Sequence, residues 1–211
     1  MIASFCLCYT ATMDDEYFAF IDLVISELDR LEIPYAIGGS FASGIYGEPR
    51  MTYDIDMSIQ LQAEKLTALI HFFENRKLNI TRDAARKALI NGGDFQASDS
   101  LGGYKVDFYA TPSRLTPRQQ RVFERRRRLP YGFAEKTAWF MSPEDVILYK
   151  LDWYVQGKSE KHIRDIGAIL SSENVTIDSE YIERWISEIQ AESIWERIRL
   201  EQERRQSDAN T

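Results

Sequence analysis

The chain has 211 residues, a formal net charge of −7 and 44% hydrophobic residues, among them eleven Tyr, eleven Phe and four Trp. That length supports one well-packed domain, or one domain with a helical appendage, and the aromatic content can fill a sizeable core. The acidic balance argues against a general nucleic-acid coat protein while leaving room for a local basic groove. Cys6 and Cys8, separated by one residue, make a poor disulfide and only half a zinc site; they read as free thiols of a reducing cytoplasm. No stretch is both long and apolar enough to span a bilayer, so the expected location is cytoplasmic, with no membrane partner.

Residues 1–13 read as an N-terminal extension ahead of the folded part. Residues 14–32 follow as an amphipathic helix, with Phe18, Ile21, Ile25, Leu28 and Leu31 at helical spacing and Asp14, Asp15 and Glu16 at its positive N-terminal end. Pro34 closes it and leads into a short strand over 35–37. A glycine turn, Gly38-Gly39-Ser40, opens a short helix over 41–46, ended by Gly47-Glu48-Pro49. The alternating run 53–59 predicts a half-buried strand. Residues 63–76 and 81–90 predict two more helices, the second closed by a Gly C-cap at Asn91-Gly92-Gly93. His71 reads as a packing residue beside the apolar face of the first of these. Residues 95–99 and 104–109 form an expected hairpin around Leu101-Gly102-Gly103.

Residues 116–128 carry Arg118, Arg121, Arg125, Arg126, Arg127 and Arg128 and predict an arginine-rich helix. Two readings stand: a docking patch for an acceptor such as RNA or a nucleotide, or arginines that are solvated or paired with acids elsewhere. Tyr131, Phe133, Trp139 and Phe140 belong to strands and core. Ser142-Pro143-Glu144-Asp145 is a helix start, with Ser at the N-cap and Pro at the first helical position, and that helix runs to about Gln156. A helix over 158–170 and two more, 179–190 and 192–205, complete the chain. His162 and Asp165 read as structural or supporting. The composition turns helical at Ser142, which divides a 14–141 domain from a helical 142–211 region. The fold class is therefore α/β (α+β), a small mixed sheet flanked by helices, with a helical C-terminal region.

The residues that carry chemistry lie in 35–60. On a strand Asp54 and Asp56 share one face, roughly 6–7 Å apart at Cα, while Ile55, Met57 and Ile59 point into the core. Two carboxylates near 5 Å repel by roughly 3 kcal/mol at an effective dielectric of about 20. A divalent cation turns that repulsion into attraction, and Mg²⁺ is usually held by one or two carboxylates together with phosphates and water. Gly38 and Gly39 allow close backbone approach to a ligand, and Ser40 can cap the following helix so that its first amides meet phosphate. Arg50 can neutralise the same phosphates. If the strand 104–109 lies beside the first, Asp107 joins Asp54 and Asp56. Three carboxylates can hold two ions, one on the triphosphate and one activating a hydroxyl.

The ordered set GGS, a helix, GxPRxTxDID and a distant VDF resembles the nucleotidyltransferase superfamily related to DNA polymerase beta, in particular its minimal bacterial members and the AbiE-type toxin enzymes. The resemblance covers about residues 20–170. It implies triphosphate binding at Gly39 and Ser40, metal binding at Asp54 and Asp56, and a metal ligand and general base at Asp107. A family lysine and a later aspartate map less closely onto Lys150 and Asp165. The resemblance implies Mg²⁺ or Mn²⁺ as cofactor and an NTP such as ATP as donor. The hydroxyl acceptor is left open between a small molecule, RNA and protein. The alternative is a non-catalytic nucleotide-binding module, or one half of a toxin–antitoxin pair with an antitoxin partner protein.

Overall fold

The computed structural model describes residues 15–99, 103–111, 115–132 and 136–209, apart from the side chains at 206, 208 and 209. The extension 1–13 with Cys6 and Cys8, Asp14, the turn residues Leu101 and Gly102, and Phe133 lie outside the described residues.

Helix α1 (Asp15–Arg30) buries Phe18, Ile21, Val24, Ile25 and Leu28 along one stripe, each side chain contributing about 1.5–3 kcal/mol relative to exposure. After it come strand β1 (Tyr35–Ile37), helix α2 (Gly39–Tyr46), strand β2 (Asp54–Ile59), helix α3 (Ala63–Asn75), the short strand β3 (Asn79–Ile80), helix α4 (Arg82–Asn91), and strands β4 (Gly93–Ser98) and β5 (Lys105–Ala110). Helix α5 (Pro117–Arg125), strands β6 (Arg127–Tyr131) and β7 (Lys136–Phe140), and helices α6 (Pro143–Gly157), α7 (Glu160–Leu170), α8 (Ser179–Trp185) and α9 (Glu192–Ala209) complete the order. A 3₁₀ turn at Ile186–Ile189 separates the last two helices.

The described strands form one mixed sheet in the order β3-β4-β5-β2-β1-β7-β6. The pairs β1–β7 and β2–β5 are parallel and the others antiparallel. The β4–β5 hairpin is present in the expected region. Gly92 caps α4 at φ 73°, its N–H bonded to Ala88 O. Ser142 Oγ accepts from the Asp145 N–H and Pro143 opens α6, as the sequence predicts.

β3 is not among the expected elements, being too short to show a two-residue period. Two expectations change. The arginine run is not one helix: α5 ends at Arg125, Arg126 turns to an extended ψ of 145°, and Arg127 and Arg128 begin β6 opposite Phe140 and Trp139. Pairing with β7 overrides the helical tendency of consecutive arginines. His71 is exposed instead of packed.

The core runs continuously across Ser142, joining Phe41 and Ala42 of α2 to Ile147, Leu151, Ile166 and Ile169. A Cβ on Gly47 would stand 2.7 Å from the backbone nitrogen of Ile169. That close approach seats α7 against the end of α2.

Candidate active site

The β2–β5 register places Asp54 opposite Lys105 and Asp56 opposite Asp107. Alternate strand residues share a face, so three carboxylates, one lysine and Tyr109 stand together. Thr52 Oγ1 donates to Asp54 Oδ1, and the Tyr109 hydroxyl donates to Asp56 Oδ1 at 3.2 Å. Asp107 accepts from Gln96 Nε2 and from Lys105 Nζ, each at 2.7 Å. Burial pushes the Asp56 carboxyl up from the ordinary aspartate value, and the charges of Asp54 and Asp107 push it further. The cluster thus has more negative charge than its own partners neutralise.

The glycine turn presses on this cluster. Gly38 N–H donates to Asp56 O at 2.8 Å. Gly39 sits at φ +58°, and a Cβ there would fall 1.8 Å from Asp56 Oδ2. Glycine alone meets both conditions without strain. Ser40 does not cap the helix: Gly38 occupies the N-cap position with no side-chain cap bond. The helix starts two residues earlier than the chain pattern suggested, at Gly39 instead of Phe41, so the Ser40 hydroxyl projects from the first turn, where it accepts from Arg50 Nη2.

A second group stands behind the turn. Asp165 on α7 accepts from Arg50 Nε at 3.3 Å and from Lys150 Nζ on α6 at 2.5 Å. Lys150 is 4% exposed. Burial alone would raise the Asp165 carboxyl, but Lys150 and Arg50 outweigh it and hold it below the ordinary aspartate value. Burial lowers the Lys150 ammonium, and Asp165 opposes that. The short charge-assisted contact keeps the pair ionised. Asp165 therefore fixes two cations beside Ser40 and the carboxylates.

These groups open on a cleft of about 510 Å³ lined by Gly39, Ser40, Asp54, Asp56, Asp107 and Lys150. Its other wall carries Gly93, Asp94, Tyr149, Asp152, Trp153 and Gln156, with Lys161 and His162 at one side. Gly38 and Arg50 act from behind the lining. Lys105, Tyr109 and Gln96 were not singled out from sequence, although the alternation that selects Asp107 puts Lys105 and Tyr109 on the same face.

Among the described residues no three His, Cys, Asp or Glu side chains converge as a closed ligand set for a metal. An open pair of carboxylate oxygens beside a phosphate-sized turn suits Mg²⁺, which keeps water and substrate oxygens in its shell. Asp54 and Asp56 are the residues that could hold such an ion.

Four of the six arginines of the run are engaged within the chain, while Arg127 and Arg128 on β6 are exposed. Arg118 Nη1 meets Asp152 Oδ2 at 2.6 Å and lies over Tyr149. Arg121 stacks 3.3 Å from the Trp185 ring centroid, Arg125 binds Glu144 at 3.1 Å, and Arg126 donates to Tyr35 O. Tyr131 and Trp139 belong to β6 and β7, and Trp139 lies under Arg126. No described helix is long and apolar enough to cross a membrane.

Solved structures share this architecture. The antibiotic-resistance factor ANT(2'')-Ia in solution aligns over 92% of this chain and 100% of its own, at 16% identity and a TM-score of 0.57. The fold is that of the nucleotidyltransferases. A crystal structure of ANT(2'')-Ia in complex with adenylyl-2''-tobramycin aligns over 82% of this chain and 96% of its own, at 16% identity and a TM-score of 0.58. An antigenic nucleotidyltransferase-like protein from Paracoccidioides brasiliensis covers 75% of this chain and 77% of its own, at 19% identity and a TM-score of 0.51. No protein-family model and no curated protein matches the chain. The nucleotidyltransferase fold is thus shared with proteins that are 16–19% identical to this one.

Proposed function

We propose that this chain transfers a nucleoside monophosphate from an NTP to a hydroxyl group and releases pyrophosphate. The observation that carries the reading is the β2–β5 register, which sets Asp107 beside Asp56, whose carboxylate in turn meets a turn that requires glycine at position 39. Gly39, Ser40, Arg50 and Lys150 bind the β- and γ-phosphates. Arg50 and Lys150 arrive pre-positioned by Asp165, so little side-chain entropy is lost on binding. A Mg²⁺ ion held by Asp54 and Asp56, or Mn²⁺ in its place, would neutralise charge on the triphosphate. Asp107 accepts the proton of the acceptor hydroxyl. The hydroxyl oxygen forms its bond to the α-phosphorus as the bond to pyrophosphate breaks.

The acceptor fits the wall formed by Tyr149, Trp153, Gln156 and Asp94, and the size of the cleft suits a hydroxyl-bearing small molecule. Structures sharing the fold include a lincosamide antibiotic adenylyltransferase bound to lincomycin, at 13% identity and a TM-score of 0.50 over 76% of this chain and 98% of its own. Arg118, Arg121, Arg125 and Arg126 are engaged within the chain, which weakens the sequence argument for RNA as acceptor.

The test incubates the protein with α-³²P-labelled NTPs, Mg²⁺ or Mn²⁺ and fractionated cell lysate, beside Asp54→Asn/Asp56→Asn. Label in the small-molecule fraction with wild type, and a loss on the order of 10³-fold or more in the double variant, is the expected result. The double variant should melt no lower than wild type, because it removes like-charge repulsion. Undiminished transfer by that variant would sink the proposal.

A further inference from the structure

β5 begins Lys-Val-Asp, and its parallel register with β2 sets four charged side chains in a square: Asp54 and Asp56 on one strand, Lys105 and Asp107 on the other. The Lys105 ammonium lies 2.7 Å from Asp107 Oδ2 and 3.8 Å from Asp54 Oδ2. It therefore stands between the two carboxylates that do not face each other directly across the strands. The other Asp107 oxygen accepts from Gln96, so both oxygens of that carboxylate are bonded to groups of the chain itself. Asp54 Oδ1 is likewise engaged by Thr52. Asp56 differs, since its Oδ2 faces the glycine turn, where the phosphates enter.

An ion shared by Asp54 and Asp107 would have to sit about 2.0–2.1 Å from an oxygen of each if it were Mg²⁺. The ammonium, already within 2.7 Å of one Asp107 oxygen and 3.8 Å of one Asp54 oxygen, competes with an ion for that space. Lysine carries a compact point charge on a flexible stem, so it can supply the positive charge of an ion without its coordination demands. Two-ion phosphoryl-transfer sites hold their ions about 3.5–4 Å apart, one on each side of the reacting phosphorus. In this square one of those two places is already filled.

We propose that Lys105 is a built-in cation of the site, standing in for the ion that would bridge Asp54 and Asp107, so that the chain takes one divalent ion with its NTP instead of two. The inference rests on the nucleotidyl-transfer reading and refines it. The single ion belongs to Asp54, Asp56 and the triphosphate. Lys105 holds Asp107 toward the acceptor side and offers an N–H to the incoming hydroxyl oxygen.

The experiment counts Mn²⁺ on the full chain by EPR, in the presence of α,β-methylene analogues of the four common NTPs. Two ions at bridging distance broaden each other's spectrum, so the lineshape reports pairing independently of the count. Wild type is expected to hold one ion per chain, with no spin coupling. Lys105→Met should take a second, coupled ion, and Lys105→Arg should stay at one. Two coupled ions on wild type overturn the inference while leaving nucleotidyl transfer intact, and so does a single ion on a folded Lys105→Met chain. If Lys105→Met fails to fold, as circular dichroism would report, the wild-type count decides alone. No bound Mn²⁺ on any of the proteins with any analogue overturns both this inference and the transfer reading.

Discussion

The cleft and the seam where α5, α6 and α8 meet both gather acids with bases, and they handle charge in opposite ways. In the seam, Glu144 is 1% exposed and takes Arg125 at 3.1 Å, Arg127 at 3.6 Å and the Asp178 N–H at 3.1 Å. Its neighbour Asp145 accepts from the Tyr181 and Ser142 hydroxyls at 2.7 and 2.8 Å. Tyr181 in turn lies under Arg125. In the cleft, three carboxylates share one ammonium, and burial together with its neighbours raises Asp56. Burial raises Asp145 as well, but its carboxylate and that of Glu144 are each met by several donors of the chain. The three clustered carboxylates of the cleft have fewer, and a cation with a triphosphate would supply what they lack.

The largest break of that contrast is Glu144→Gln. It leaves Arg125 and Arg127 beside a buried neutral amide and should cost about 3 kcal/mol, the low end for a severed buried pair because both arginines are partly exposed. For a chain of this size that lowers the melting temperature by roughly 6–12 °C. Transfer measured well below the new midpoint should stay near wild type. A melting curve that does not move would mean that the seam is not held by its charges.

Gly39→Ala comes next and strikes the cleft. Alanine at φ +58° costs about 1–2 kcal/mol, and its Cβ must displace the Asp56 carboxylate. Displacing a reacting group by about 1 Å can cost about 10²-fold in rate, so transfer should fall by about that factor while the fold survives. Steady-state kinetics beside a melting curve separates the two effects.

Asp165→Asn should be mildest. It frees Lys150 and Arg50 and should raise KM for the NTP about tenfold, a change of about 1.4 kcal/mol, with a smaller change in kcat. The same variant has a pH signature. Asp165 is held below its unfolded value of 3.8 by Lys150 and Arg50. Its carboxylate therefore adds stability above that value and loses it as the pH falls through the lower folded value. The gap in melting temperature between wild type and Asp165→Asn should be full at neutral pH and narrow below 3.8. A gap that is flat across that range would mean that the three-way contact contributes nothing to stability.

Much of this was legible before any coordinates. Helical spacing marks α1, α3 and α6 because their buried residues recur on one stripe, and Ser142-Pro143 announces its helix because a hydroxyl cap and a fixed φ act locally. Alternation over 53–59 places Asp54 and Asp56 on one face by strand geometry alone. The arginine run misled for a physical reason. Consecutive arginines have helical propensity, but β6 forms only because β7, beginning nine residues further on at Lys136, offers it an edge, and local composition does not encode that partner.

The sequence by itself determined the pieces of the site: a turn that needs glycine, a strand with two acids and a second strand with another, while the lysine on a later helix came only with the family resemblance. The turn and the strands depend on short-range periodicity or backbone freedom, which neighbouring residues carry. Only the tertiary structure decided how they meet. The parallel β2–β5 register set Asp107 beside Asp56 and Lys105 beside Asp54, and the packing of α7 at Gly47 brought Asp165 to both Arg50 and Lys150. Strand register and helix docking are set by which distant faces bury together, so the charge balance of the cleft becomes visible only once the chain has folded.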